Sequence, residues 1–154
     1  MTDIQSYSWK TLLEQAEGLL SVSSDPISNA ANLSALLYQE LTDISWVGFY
    51  FLDENKLLLG PFQGKPACVS IDMGKGVCGS AAASAKTIRV ADVESFEGHI
   101  ACDAAARSEI VVPLFKADNL IGVLDVDSES FDRFSEQDEA GFNAVAKVYL
   151  SSID

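Results

Sequence analysis

Three cysteines, Cys68, Cys78 and Cys102, lie ten and then twenty-four residues apart, and an acidic group follows them: Glu109, Asp125 and Asp127. Val111–Phe115 and Leu120–Val126 are short apolar runs around a polar turn, which reads as a β-hairpin. Glu109 opens the first of its strands, and Asp125 and Asp127 close the second. Two residues apart on a strand, Asp125 and Asp127 point to one face. With a three-residue loop of Ala117, Asp118 and Asn119, Glu109 falls opposite Asp127 and joins them. Three carboxylates at one end of a hairpin repel across the strand pair. A cluster that costly suggests a site, with Cys102 on the loop leading into it. The chemistry open to these residue types is thiol redox chemistry, metal binding, or acid–base work by carboxylates whose mutual repulsion raises at least one pKa.

Composition narrows the choice. The chain of 154 residues is one domain, residues 1–154, with enough length for a core. A net charge of −13 argues against nucleic acid or an anionic membrane surface as partner. No apolar run approaches the roughly 20 residues of a membrane helix. The N-terminus lacks the basic start and apolar stretch of a signal peptide, so a cytoplasmic protein is expected. An odd number of cysteines in a reducing compartment disfavours a structural disulfide and leaves redox chemistry, metal binding or plain burial.

The elements that must position these residues are legible from periodicity. Trp9, Leu12, Leu13, Ala16, Leu19 and Leu20 predict a helix over roughly Tyr7–Leu20. Asp25 as N-cap and Pro26 at the first helical position start a second helix. Trp46–Leu52 and Leu57–Leu59 are strands around a turn, Gly60–Pro66 is a loop, and Ala67–Ile71 and Thr87–Ala91 are short strands. Gly74–Gly79 is a glycine-rich turn into a small helix, Ser80–Ala85. Ser135 and Asp138 form a capping box that opens the last helix. The class is α+β, with a central antiparallel sheet. The N- and C-terminal helices pack on one face, and loops between Gly60 and Cys102 cover a pocket on the other.

Two motifs compete with a cysteine site. The glycines Gly74, Gly76 and Gly79 match G-x-G-x-x-G, but the strands that follow read as a hairpin and not a parallel βαβ unit, so no dinucleotide is expected. Cys68, Cys78, His99 and Cys102 could supply four zinc ligands, but they lack the paired C-x-x-C knuckles of structural sites, and no metal or other cofactor is expected. His99 reads as a hydrogen-bonded structural residue. Trp46 and Tyr50 share a strand face, as core or as an aromatic pocket wall.

Trp46-Val47-Gly48-Phe49-Tyr50, Gly74-Lys75-Gly76-Val77-Cys78-Gly79, Gly98-His99-Ile100-Ala101-Cys102-Asp103, Ser108-Glu109-Ile110-Val111-Val112-Pro113 and Leu124-Asp125-Val126-Asp127 resemble the GAF-domain free methionine-(R)-sulfoxide reductases. The likeness covers almost the whole chain and includes the cysteine spacing. It implies a GAF fold, a homodimer, and reduction of the free amino acid sulfoxide with electrons from thioredoxin. It also implies substrate contacts from Trp46, Tyr50, Glu109, Asp125 and Asp127. In that mechanism a thiolate attacks the sulfoxide sulfur and leaves a cysteine sulfenic acid, which a second cysteine converts to a disulfide. Cys102 is expected to attack because it borders the carboxylates, with Cys68 resolving and Cys78 an alternative or relay. A protonated Glu109 or Asp127 would serve the sulfoxide oxygen, and Asp125 the substrate ammonium. The competing class is a GAF module that binds a small ligand without turnover.

Overall fold

The computed structural model describes residues 7–100, 102 and 104–154. The N-terminal six residues, on which the signal-peptide expectation rests, lie outside them. The chain runs α1 (Trp9–Leu20), α2 (Pro26–Glu40), β1 (Trp46–Asp53), β2 (Lys56–Gly64), β3 (Ser70–Asp72), α3 (Gly76–Ser84), β4 (Ile88–Val90), a 3₁₀ turn at Val93–Ser95, β5 (Ser108–Lys116), β6 (Asn119–Ser128) and α4 (Glu136–Ser152). The strands form one sheet in the order β3-β2-β1-β6-β5-β4, every pair antiparallel. This is the expected α+β arrangement. The strand after the glycine motif pairs antiparallel with β5, which removes the βαβ context a dinucleotide fold needs. Among the described residues no helix is long and apolar enough to cross a membrane.

Alternation along the central strands sorts the molecule into two layers. Val47 and Phe49 of β1, Ile110, Val112 and Leu114 of β5, and Leu124 and Val126 of β6 face α1, α2 and α4 in the larger core. Trp46, Tyr50, Val111 and Val123 point the other way, into a second cluster closed by Val77, Cys78, Ala81 and Ala82 of α3. With both faces covered, the central strands carry apolar residues at nearly every position. Glu109, Asp125 and Asp127 have the parity of the second face.

The local signals for the helices operate as expected. Asp25 accepts from the Ser28 amide at 2.8 Å with Pro26 beside it. Ser135 and Asp138 exchange both capping-box bonds. Asp138 does more than cap. It accepts from Tyr7 Oη (2.7 Å), Trp9 Nε1 (3.1 Å) and Arg133 Nη1 (2.9 Å), tying the start of α1 to α4.

The differences from the sequence reading lie where glycine and proline punctuate. Gly60–Gly64 belongs to β2 and is no loop, because the ladder shifts register between Gly48 and Tyr50 and the bulge accommodates Pro61. The edge strand begins at Ser70, so Cys68 lies in the irregular connection before β3. The α3 helix starts at Gly76, four residues early, which places Cys78 inside it. The hairpin turn has two residues, Ala117 and Asp118, both at positive φ (51° and 66°), with Lys116 opposite Asn119. That alone would slip Glu109 off Asp127. A bulge between Leu114 and Phe115 restores the register, and Glu109 pairs with Asp127 after all.

Burial by itself would raise the pKa of Asp138, but bonds from the Ser135 amide, Tyr7, Trp9 and the Arg133 guanidinium hold it below the ordinary carboxylate range. A depressed folded-state pKa gives stability that is present above the unfolded value and is lost as pH falls through the folded one. Asp138→Ala leaves a nearly buried guanidinium without its partner, and the expected cost at pH 7 is about 3 kcal/mol. Urea unfolding checks this, and the gap between wild type and variant should close below about pH 4.

Candidate active site

The pocket sits on the sheet face opposite α1, α2 and α4. Its lining includes Trp46 and Tyr50 of β1, Glu109 of β5, Asp125 and Asp127 of β6, Val77 and Cys78 of α3, and Cys102. The register explains the convergence. Trp46 pairs with Asp127, Gly48 with Asp125, and Asp127 in turn with Glu109. The residue opposite Asp125 thus carries no side chain, and β2 closes directly over it, with Phe62 packed where a Gly48 Cβ would stand. A Cβ at Gly48 would stand 2.9 Å from the Pro61 carbonyl, so the bulge also requires glycine there.

Burial is severe at the carboxylates. Asp125 is 5% exposed and Glu109 9%. Asp125 Oδ1 has no hydrogen-bond partner. Burial pushes the Glu109 carboxyl far above its ordinary range, and the Asp125 charge beside it pushes further. Burial likewise raises Asp125, with Asp127 adding to the shift. Burial and the neighbouring charge thus both disfavour the ionised forms of Glu109 and Asp125, with Asp127 beside them adding to the repulsion.

The cysteines divide into two environments by position. Cys68 and Cys102, half-buried on two irregular segments, are joined as a disulfide with Cα atoms 5.5 Å apart. Cys78 is a buried free thiol, and its Sγ donates to Glu109 Oε2 at 3.9 Å. The thiol in contact with the acids is therefore Cys78 and not Cys102, because α3 begins early and tucks it beneath the sheet. Burial raises the Cys78 pKa well above the usual thiol value, and Asp125 and Glu109 reinforce the effect. It is a thiol and not a thiolate at neutral pH. The four-ligand zinc set is not assembled, since two of its sulfurs are bonded to each other. The described residues that could hold a cation are Cys78, Glu109 and Asp125, whose ligand atoms lie within 4.8 Å of one another.

Trp46 and Tyr50 stack at 6.0 Å and form the aromatic wall. His99 lines the same pocket. Lining residues that sequence reasoning missed include Lys65, Pro66, Ala67, Ile71, Lys75, Ile100 and Ala106. All but Ile71, on β3, sit on irregular connections with no periodicity to betray them.

A carboxylate whose folded pKa is raised contributes stability that is full below the unfolded pKa and is lost as pH rises through the folded value. The cluster should therefore make the protein less stable as pH rises above about 4. Asp125→Asn should flatten that slope and stabilise the protein at pH 8 by about 1 kcal/mol. Urea midpoints from pH 5 to 8 decide it; an unchanged slope means the acids are not held protonated by the fold.

The chain matches the GAF domain family over residues 30–153. It is 54% identical to the free methionine-R-sulfoxide reductase of Escherichia coli, over 80% of this chain and 74% of that one. The reduced form of fRMsr of Staphylococcus aureus superimposes with a TM-score of 0.95 at 49% identity, over 100% of both chains. The free methionine-R-sulfoxide reductase of Neisseria meningitidis, in complex with its substrate, gives a TM-score of 0.91 at 40% identity, over 98% of this chain and 94% of that one. With the fold, the cysteine spacing and these likenesses in agreement, the chain belongs to the GAF-domain free methionine-(R)-sulfoxide reductase family.

Proposed function

We propose that the protein reduces free L-methionine (R)-sulfoxide to methionine through a cysteine sulfenic acid and an intramolecular disulfide that thioredoxin recycles. The observation that carries this reading is the Cys68–Cys102 disulfide beside a pocket walled by aromatic rings and buried acids. The likeness to reductases of that name supports it.

Cys102 attacks the sulfoxide sulfur. The oxygen passes to Cys102 as a sulfenic acid and methionine leaves with its sulfur reduced. Cys68 then displaces that oxygen as water and forms the disulfide, which two thiols of thioredoxin reduce. The buried, protonated state of Cys78 favours giving the attack to Cys102, with Cys78 kept as an alternative or relay. The sulfoxide oxygen needs a proton as it departs, and a raised pKa makes Glu109 fit to supply it, with Asp127 opposite as the other donor of the pair. Asp125, with an unpartnered buried oxygen, is matched to the substrate ammonium. A primary ammonium suits the cluster better than a metal ion would, because the Trp46–Tyr50 wall offers the apolar surface that a methylthio group needs. We further take the protein to act in the cytoplasm, as a homodimer.

An NADPH-coupled thioredoxin assay tests the reading. Free (R)-sulfoxide should turn over, free (S)-sulfoxide should not, and N-acetylation, which makes the ammonium a neutral amide, should lower kcat/KM by roughly 10⁴. Cys102→Ser should abolish turnover and methionine release in a single turnover. Binding of the sulfoxide with no turnover would favour a ligand-binding GAF module instead.

The acid acts only when protonated, so kcat should fall as pH rises through its elevated pKa, and Glu109→Gln should lower kcat more than it raises KM. A flat kcat profile from about pH 5 to 9 in wild type would remove Glu109 from the proton-donor role.

A further inference from the structure

Cys68 lies on the connection between Gly64 and Ser70, which has no regular structure. Most of this connection faces solvent; Val69 next to the cysteine is 72% exposed. The chain enters it through Gly64 at a φ of +130°, a backbone turn that fixes no side chain. Two side-chain hydrogen bonds tether it from beneath. Trp46 Nε1 donates to the Lys65 carbonyl at 3.0 Å, and Tyr50 Oη donates to the carbonyl of Cys68 itself at 2.9 Å. Both donors come from one face of β1, and their rings are almost wholly buried, with Trp46 also stacked on Phe62 at 5.2 Å.

We infer that Tyr50, with Trp46 beside it, is a positioning residue for the resolving cysteine: its hydroxyl holds the Cys68 backbone where the Cys68 thiol can close on Cys102. This rests on the redox cycle proposed above and adds to the part Tyr50 plays as pocket wall, since the ring face and the hydroxyl do separate work. Disulfide closure tolerates little displacement. Cα atoms more than about 7 Å apart cannot be bridged without backbone movement, and here they stand at 5.5 Å. The only other tie beside Cys68 that is seen among the described residues is the Leu59 amide donating to the Val69 carbonyl at 2.9 Å, one residue further on, so loss of the Tyr50 bond frees the Cys68 backbone itself to shift. The step is balanced within the chain. The Cys68 sulfur supplies the electron pair of the new S–S bond, the S–O bond of the Cys102 sulfenic acid breaks, and the oxygen leaves as water with the Cys68 proton. Burial followed by the Asp125 charge raises the Tyr50 phenol, so it stays a donor throughout the working pH range.

Two rates measured on one single-turnover sample test the assignment: formation of the Cys102 sulfenic acid, captured with a dimedone-type trap, and formation of the Cys68–Cys102 disulfide, read by peptide mapping. Tyr50→Phe keeps the ring and removes the hydroxyl. The ratio of closure to sulfenic acid formation should fall about fivefold, with trappable sulfenic acid accumulating. Trp46→Phe should lower the ratio in the same direction. Phe62→Leu removes a ring from the stack and no hydrogen bond, and should leave the ratio at the wild-type value. A wild-type ratio in Tyr50→Phe overturns the inference, as does an equal fall in Phe62→Leu, which would reduce the effect to packing. Repeating the measurement with stoichiometric hydrogen peroxide as oxidant separates this from failure of the substrate assignment, because closure then proceeds without any sulfoxide.

Discussion

Glu109, Asp125 and Asp127 repel one another from a single face of the central strands, and the structure is arranged to tolerate it. The register of β1, β6 and β5 puts them side by side. Burial then raises the Glu109 and Asp125 carboxyls well above their ordinary range, because a buried unpaired charge costs more than a shifted pKa. A cavity with an unmet acceptor and a supply of protons is the outcome. It is poor as a core and good as a site for a cationic, proton-demanding ligand. The stability lost there is supplied by the opposite face, where α1, α2 and α4 bury a continuous apolar cluster on the same strands.

The two faces depend on each other through the backbone. A strand residue pointing into the helical core fixes the parity of its neighbour in the pocket, so Val126 at the core holds Asp125 and Asp127 at the site. The two bulges act within that constraint. One, in the β5–β6 hairpin, corrects the slip introduced by a two-residue turn. The other, at Gly48, lets β2 approach closely with Phe62 over the glycine and lets it carry Pro61. Each bends the ladder where straight pairing would shift the register of the strands that carry the acids or pack against them.

The disulfide joins parts of the chain that regular structure leaves free. Cys68 and Cys102 occupy irregular segments, where a bond can form and break without disturbing a ladder or a helix. Cys78 sits in a helix buried on all sides and behaves as a packed side chain against Glu109. Position in the fold, more than residue type, separates the disulfide-bonded pair from the buried free thiol.

The sequence by itself determined the class, the starts of α2 and α4 and the shared face of the acids. Those rest on local physics: the 3.6- and 2-residue periods, the Asp25–Pro26 and Ser135–Asp138 caps, and the alternation that puts Asp125 and Asp127 on one side. The pairing of Glu109 with Asp127 was legible as an outcome but not by its route, since the expected three-residue loop is a two-residue turn followed by a bulge that adds back the missing residue. Tertiary structure alone decided the rest. Gly60–Gly64 pairs as strand because β1 supplies a partner that glycine and proline content cannot announce. Which cysteine meets the acids, and which two meet each other, depended on the early start of α3 and on two connections without periodicity. The hydroxyl of Tyr50 reaches a carbonyl eighteen residues away, a contact that no local pattern encodes because its energy exists only once the chain has closed around it.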